Sequence, residues 1–389
     1  MKTQVVIIGG GPAGMLLSHM LYRRGIENIV LEQQSQAYVL QRIRAGVLEY
    51  GTVELLRAEG LGTRMDAEGI PHDGAVIAWA SRAYLAIDTT RYADKPMMAY
   101  GQTAITEDLY RQRAEDNGLV FDNANNVQPQ NLQTDYPFVT FERDGELSRI
   151  DCDFVAGCDG FHGVSRQCIP QEVRKEYEKA YPFGWLGIMS ETPPLKDITY
   201  ANSPYGFALC SMRNPMLSRY YVQCPIDDKI EDWSDDRFWA ELKARYPKDI
   251  AEDIMTGPSI EKSIAPLRSF VSEPMSWGRL YLAGDAAHIV PPTGAKGLNL
   301  AVSDVFYLCR ALNEFYQQGD DTYLQSYSDT ALKRVWGSSR FSWWLTSLLH
   351  RFPGQAEIDL RLQEAELEYI ASSEQAQHSL AEQYAGLPY

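Results

Sequence analysis

Six residues near the start of the chain, Gly9-Gly10-Gly11-Pro12-Ala13-Gly14, restrict the fold more than any other stretch. They follow the apolar run 4–8 and precede Met15, Leu16, Leu17, Met20 and Leu21, which give a helix one apolar face. A second apolar run, 29–31, ends in Glu32. The spacing predicts strand, glycine turn, helix and strand, the opening of a dinucleotide-binding α/β fold. Gly9, Gly11 and Gly14 satisfy its glycine pattern. A pyrophosphate can then rest on the helix N-terminus, where N–H groups are unpaired and the dipole end is positive. Glu32 is placed to bind the ribose hydroxyls of an adenosine.

Two further segments extend this reading. Residues 278–304 predict a buried strand at 280–283, an acidic turn Gly284-Asp285, a Pro/Gly loop, and a helix opening near Gly297. Gly294 and Gly297 let backbone approach a ligand closely, and Asp285 can accept hydrogen bonds from sugar-like hydroxyls. Cys158-Asp159-Gly160-Phe161-His162-Gly163-Val164-Ser165-Arg166 follows an expected hairpin, with strands at 138–141 and 150–156 joined through Arg143-Asp144-Gly145. In the middle, 206–210 and 219–224 read as strands and 235–246 as a helix. A further helix is expected over 356–370.

The 389 residues suffice for two or three domains with real cores. No run reaches the length of a membrane span, and the N-terminus enters a strand without a signal-peptide pattern. Six cysteines show neither CxxC pairs nor metal-ligand spacing, which favours free thiols in a reducing cytoplasm and no metal. A net charge of −16 argues against nucleic-acid binding. Anionic ligands would therefore need local positive charge, with Arg42, Arg44, Arg166, Arg213, Arg219 and Arg268 as candidates.

The three segments, in this order, resemble the single-component FAD-dependent aromatic hydroxylases. Further stretches are similar to the branch that hydroxylates 4-hydroxybenzoate: Arg42-Ile43-Arg44-Ala45-Gly46-Val47-Leu48-Glu49, Tyr100-Gly101-Gln102-Thr103, 181–187, 206–211, 263–270, 340–344 and 384–388. The resemblance implies an α/β fold, with a Rossmann-like FAD-binding domain (1–175 and 267–350). It also implies an inserted mixed β-sheet substrate domain (176–266) and a helical C-terminal region (351–389). A homodimer acting on a small aromatic acid is expected, with no nucleic-acid or membrane partner.

Roles follow from the same resemblance. Ser211, Arg213 and Tyr221 match the group holding the substrate carboxylate. Tyr200 matches the partner of the 4-hydroxyl, Tyr384 the next member of a proton relay and His72 its solvent end. Pro292 matches a backbone carbonyl facing the reacting ring. On the FAD side, Arg44 and Gln102 match phosphate contacts and Asp285 the ribityl contact. Leu298 and Asn299 match helix-start N–H groups at the flavin O2 edge. Asp159 joins the cofactor set, and Arg219 and Lys296 are expected to add positive potential. Arg42 is expected to sense both flavin and nicotinamide nucleotide. His162, Arg166 and Arg268 match groups binding the NAD(P)H pyrophosphate, since the family has no second Rossmann domain.

The implied reaction is NAD(P)H- and O2-dependent hydroxylation of 4-hydroxybenzoate to 3,4-dihydroxybenzoate through a C4a-hydroperoxyflavin. The alternative is a related hydroxylase of another phenolic or amino-benzoic acid. One position departs from the pattern. NADPH-preferring members carry arginine after the strand-end acid, where this chain has Gln33, although Tyr38 matches. Relaxed selectivity between NADPH and NADH is the expectation.

Overall fold

The computed structural model describes residues 1–41, 46–79 and 83–389. A six-stranded sheet runs in the order Ser276–Trp277, Leu280–Leu282, Phe154–Gly157, Val5–Ile8, Asn28–Leu31, Leu119–Phe121. All neighbours are parallel except the first pair. Val5–Ile8 and Asn28–Leu31 are wholly buried, as continuous apolar strands of a parallel sheet covered on both faces must be. The helices Pro12–Tyr22, Gln102–Glu115 and Gly297–Gln318 supply part of that cover.

The glycine turn meets the second motif directly. Gly9 has φ +109°, and a Cβ there would overlap the Cys158 carbonyl. Cys158 N donates to Ile8 O at 2.7 Å, so both motifs leave adjacent central strands at their C-terminal ends. Only glycine accommodates both the dihedral and the approach.

The expected single strand at 150–156 is two strands. Glu146–Asp151 completes the hairpin with Phe138–Arg143, and Phe154–Gly157 then enters the parallel sheet. The main chain changes sheets at Cys152-Asp153, where Asp153 N and Phe154 N both donate to Gln4 O. Apolar residues on both sides of this break conceal it in the sequence.

An eight-stranded mixed sheet has the order His288–Ile289, Ser259–Glu273, Lys175–Ser190, Leu217–Pro225, Gly206–Asn214, Ile198–Ser203, Gly74–Trp79, Ala83–Asp88. It takes its last two strands from a region that the sequence reading assigned to the cofactor domain. Its two longest strands, 16 and 15 residues, pair antiparallel. The first six residues of Lys175–Ser190 are exposed, and its last eight are buried. A charged half and an apolar half thus form one strand.

Period-two alternation divides this sheet into two faces. Leu186, Ile188, Ala201, Ala208, Tyr220 and Val222 pack against Phe238, Trp239 and Leu242 of the helix Asp235–Ala244. Trp185, Tyr200, Phe207 and Leu209 point the other way, toward Leu345, Leu348, Leu367 and Tyr384 of the C-terminal helices Tyr327–Leu349, Glu357–Ser372 and Glu374–Ala385. Each such large apolar side chain stabilises the fold by about 1.5–3 kcal/mol when fully buried. No described helix is long and apolar enough to cross a membrane.

The helix Asp235–Ala244 is fastened at its first residue. Asp235 Oδ2 accepts from Ser259 N at 2.8 Å, and Oδ1 accepts from Ser259 Oγ and Lys262 Nζ, each at 2.8 Å. The Lys262 ammonium, followed by the Ser259 N–H, holds its carboxyl at about 2, below the usual 3.8. A depressed carboxyl pKa stabilises the fold above the ordinary value and loses that contribution as pH falls through the folded value. Asp235→Asn should therefore destabilise the protein at pH 7 by about 1 kcal/mol. Denaturant titration should show the difference from wild type vanishing as pH drops from the ordinary carboxyl range toward 2. A pH-independent difference would contradict this.

Candidate active site

The geometry of a nucleotide cradle is present at the C-terminal ends of the parallel strands. The helix Pro12–Tyr22 begins at Gly11 with no side-chain cap and no acid in its first turn, and a Cβ on Gly11 would meet nothing within 4 Å. That open space above unpaired N–H groups fits a pyrophosphate. Glu32 lies beside it, its Oε2 accepting from Gly10 N at 2.6 Å and its Oε1 from Gln34 N at 2.8 Å. Tyr110 Oη donates to Gly10 O at 3.0 Å and pins the turn from behind. Tyr110 escaped the sequence reading because it lies 100 residues away. Gly14 packs against the Gly9 carbonyl.

Two more helix starts are similarly bare. Gln102 opens the helix Gln102–Glu115, and Gly297, Leu298 and Asn299 open the helix Gly297–Gln318; neither has a side-chain cap or an acid in its first turn. Asp285 is half-buried in the 3-10 turn Gly284–Ala286, directly after Leu280–Leu282. Ala295, before the helix Gly297–Gln318, has φ +53°, an uncommon conformation for a residue with a Cβ. Asn299 Nδ2 holds that turn by donating to Ala295 O at 2.8 Å and to Val47 O at 3.0 Å. These features fit FAD. Arg42 and Arg44 lie outside the described residues.

Asp159 serves its own loop. Its Oδ2 accepts from Ser165 N and Ser165 Oγ, both at 2.9 Å, while Oδ1 is buried without a hydrogen-bond partner. Burial pushes its carboxyl pKa up, against the Ser165 hydrogen bonds.

Across the larger sheet, register brings the expected substrate residues into one patch. Tyr200 pairs with Leu209, Leu209 with Tyr221, and Tyr221 with Gly187. Ser211 pairs with Arg219 in the next row on the same face. Gly187 is needed here, because a Cβ would lie 2.7 Å from the Tyr221 ring. Ser211 Oγ donates to Arg219 O at 3.0 Å.

Arg213 and Arg219 differ in kind. Arg219 Nη1 lies 2.9 Å from Glu261 Oε2, and its Nη2 donates to Ser263 Oγ at 2.9 Å. Burial opposes its charge, but Tyr221 and Glu261 outweigh burial and its pKa rises. Arg213 forms no salt bridge with any described residue. Its Nη1 donates only to Met212 O, and its Nε is buried without a partner. Burial lowers its pKa, opposed by Tyr221. Arg213 is half-buried, and a guanidinium with an unused buried donor can receive an anion.

Arg219 and Lys296, expected to add positive potential, each have a carboxylate partner. Lys296 Nζ donates to Glu49 Oε1 at 2.6 Å and to Tyr384 O at 3.0 Å, and Arg334 Nη2 donates to Glu49 Oε2 at 3.0 Å. Burial draws the Lys296 pKa down against the pull of Glu49. Neither Glu49 nor Glu261 was singled out from sequence, because nothing local marks an acid as a counter-ion.

Tyr200 and Tyr384 are brought together, with hydroxyls 3.0 Å apart. Tyr200 Oη also donates to Thr293 O at 3.0 Å, in the turn Pro292–Gly294, so Tyr384 is the donor between the phenols. Pro292 is exposed at this turn. Burial raises the Tyr200 phenol to about 12, despite the Tyr384 hydrogen bond, and raises Tyr384 as well. His72 bonds through Nδ1 to Gly74 O at 2.8 Å, while its Nε2 is buried without a partner. Burial lowers its pKa, keeping the imidazole neutral, against the Gly74 bond and nearby Asp73 and Asp197. No direct hydrogen bond joins it to the tyrosine pair among the described residues.

The coenzyme candidates fall into two groups. His162 is exposed, and Arg268 lies 4.8 Å over the Phe161 ring and 3.6 Å from Glu178 Oε1. Arg166 is buried, and its donors face inward, to Ala286 O, Phe161 O and Glu176 Oε1. It braces the Phe161 loop rather than presenting charge at the surface. Gln33 and Tyr38 are exposed beyond Glu32.

No group of His, Cys, Asp or Glu among the described residues could hold a metal ion. A family model described as the FAD binding domain matches residues 2–342. A p-hydroxybenzoate hydroxylase from Acinetobacter baylyi is 52% identical over 390 residues, covering 100% of this chain and 96% of that protein. A rifampicin monooxygenase from Streptomyces venezuelae is 27% identical over 78% of this chain and 62% of its own length. The crystal structure of a p-nitrophenol 4-monooxygenase from Pseudomonas putida DLL-E4 superposes with a TM-score of 0.83 at 18% identity, covering both chains completely, which is a likeness of fold. A full-length match at this identity, on a chain whose glycine turn, Gly-Asp turn and helix starts fit FAD, makes the protein a member of the FAD-dependent aromatic hydroxylases, in the p-hydroxybenzoate hydroxylase family.

Proposed function

We propose that the protein hydroxylates 4-hydroxybenzoate beside its phenol, giving 3,4-dihydroxybenzoate and water from O2 and NAD(P)H. The observation that carries this reading is Arg213, a half-buried guanidinium with an unused buried Nε and no carboxylate partner among the described residues, on the sheet face that also carries the Tyr200–Tyr384 pair. Tyr200 and Tyr221 stand two strands apart in one row, roughly 10 Å at the backbone. A benzoate lying between them has its acid at Ser211, Arg213 and Tyr221 and its phenol at Tyr200.

When bound, FAD takes reducing equivalents from NAD(P)H and activates oxygen for transfer; Glu32, Gln102, Asp285, Leu298 and Asn299 are the described residues placed to hold it. The chain's own work is to orient the ring, exclude water and move a proton. An oxygen electrophile attacks faster when the ring carries a phenolate. Tyr200 would accept the substrate's proton while its own hydrogen swings from Thr293 O to Tyr384. Neutral His72, with an unused buried nitrogen, is the acceptor at the far end of the path.

We assign the coenzyme cleft to His162, Arg268, Gln33 and Tyr38, with Arg166 supporting the Phe161 loop, and propose that both NADPH and NADH are used. Six unpaired thiols fit a cytoplasmic protein. We place a homodimer contact at the helix Glu357–Ser372, where Ile358, Leu362 and Tyr369 are 66%, 61% and 58% exposed. Sedimentation at micromolar concentration checks the mass.

Arg213→Ala should weaken 4-hydroxybenzoate binding by about 2–5 kcal/mol, because a desolvated carboxylate loses its charged partner. FAD retention should be unchanged. Titration followed by flavin fluorescence reads both, and unchanged substrate affinity would remove the carboxylate assignment.

Gln33→Arg should shift the ratio of specificity constants toward NADPH several-fold, about 1 kcal/mol for an exposed charge pair with the 2′-phosphate. Raising salt should shrink the shift. An unmoved ratio would place 2′-phosphate recognition elsewhere in the cleft.

A further inference from the structure

The segment following Tyr384 lies against the start of the proposed cofactor helix. Arg334 Nη1 donates to Leu387 O at 2.6 Å and Pro388 O at 3.1 Å, and its guanidinium lies 4.7 Å over the Tyr389 ring. The same guanidinium pairs with Glu49, whose other oxygen takes Lys296. Gly386 has φ +94°, and a Cβ there would overlap Glu49. The Tyr389 ring packs 5.3 Å from Phe306 and 6.4 Å from Tyr307, both on the helix Gly297–Gln318.

Tyr389 Oη then lies 3.0 Å from Thr52 Oγ1, and Thr52 Oγ1 is 2.8 Å from Asn299 Oδ1. The direction of these bonds is determined. Asn299 Nδ2 spends its hydrogens on Val47 O and Ala295 O, so its Oδ1 is an acceptor, and Glu49 N also donates to it at 3.0 Å. Thr52 must donate to Asn299, which leaves Tyr389 as the donor to Thr52. The chain Tyr389, Thr52, Asn299 therefore runs one way and ends on the third residue of the helix and on the strained turn at Ala295.

We propose that Tyr389 is a positioning residue. Its hydroxyl orients Thr52, which fixes Asn299 and so sets the helix start against FAD. The inference rests on the proposed contact of Leu298 and Asn299 with the cofactor. It also explains why residues 386–389 lie here: they tie the backbone of the relay residue Tyr384 to the turn holding the cofactor's edge.

The test compares Tyr389→Phe, Thr52→Val, the double variant and Asn299→Ala. Tyr389→Phe keeps the ring packed against Phe306 and removes only the donor. FAD dissociation from the holoenzyme, amide exchange at residues 297–301 in the protein stripped of FAD, and the flavin midpoint potential are measured together. Tyr389→Phe should weaken FAD binding by about fivefold, the scale of one net hydrogen bond. It should also speed exchange at 297–301 and move the potential to more negative values. The double variant should be no worse than Thr52→Val alone, because both act through one chain. Wild-type affinity, exchange and potential in Tyr389→Phe would overturn the proposal, even with a lowered melting temperature, and so would additive effects in the double variant. Asn299→Ala separates the two readings. It keeps the backbone N–H and removes the side-chain tie: if it speeds exchange at 297–301 yet leaves FAD affinity untouched, the helix-start contact fails; if it alone speeds exchange and weakens binding, only the role of Tyr389 fails.

Discussion

The 3.0 Å contact between the hydroxyls of Tyr200 and Tyr384 is where separate parts of the fold meet. Tyr200 stands on the strand Ile198–Ser203, Tyr384 on the helix Glu374–Ala385, and Thr293, the other partner of Tyr200, in the turn before the cofactor helix. Both phenols are buried, so each hydroxyl must keep a partner or incur desolvation of about 1–3 kcal/mol. That requirement holds sheet, turn and helix in one arrangement. We propose that this hydrogen bond reverses when a substrate phenol arrives.

Charge is distributed on the same economy. The protein carries a net −16, yet the proposed ligands are anions. Lys296 and Arg334 share Glu49, and Arg219 has Glu261. Buried ions paired in this way are tolerated rather than strongly stabilising. Arg213 is the exception beside the sheet, with a buried Nε unused. An anion of the right shape relieves that cost, and a neutral phenol does not. We propose that selectivity for an acid comes from this unpaired donor beside the Tyr200–Tyr384 pair.

What could be read from the sequence was what is local. Gly9, Gly11 and Gly14 lie within one turn, and their spacing alone carries the cradle. Leu280–Leu282 and Asp285 are legible for the same reason. The proposed carboxylate patch is different. Ser211, Arg213 and Tyr221 meet only because strands pair in a particular register, so family resemblance, not spacing, pointed to them. The counter-ions Glu49 and Glu261, the acceptor Thr293 and the anchors Tyr110 and Tyr389 went unseen. Their partners are distant, as with Thr52 and Asn299, 247 residues apart. The hidden break at Cys152-Asp153 has a related cause: hydrophobic alternation reports burial, not which sheet a strand joins.

The central claim is that the buried tyrosine pair takes the proton from the substrate's phenol. The most direct measurement is the ultraviolet spectrum of 4-hydroxybenzoate bound to the holoenzyme across pH, in wild type and in Tyr200→Phe. The account predicts that the phenolate band appears in wild type at a pH well below that for the free acid in water, and that Tyr200→Phe abolishes this shift while still binding the acid. A bound phenol that ionises as it does in water, or an unchanged shift in Tyr200→Phe, would contradict it.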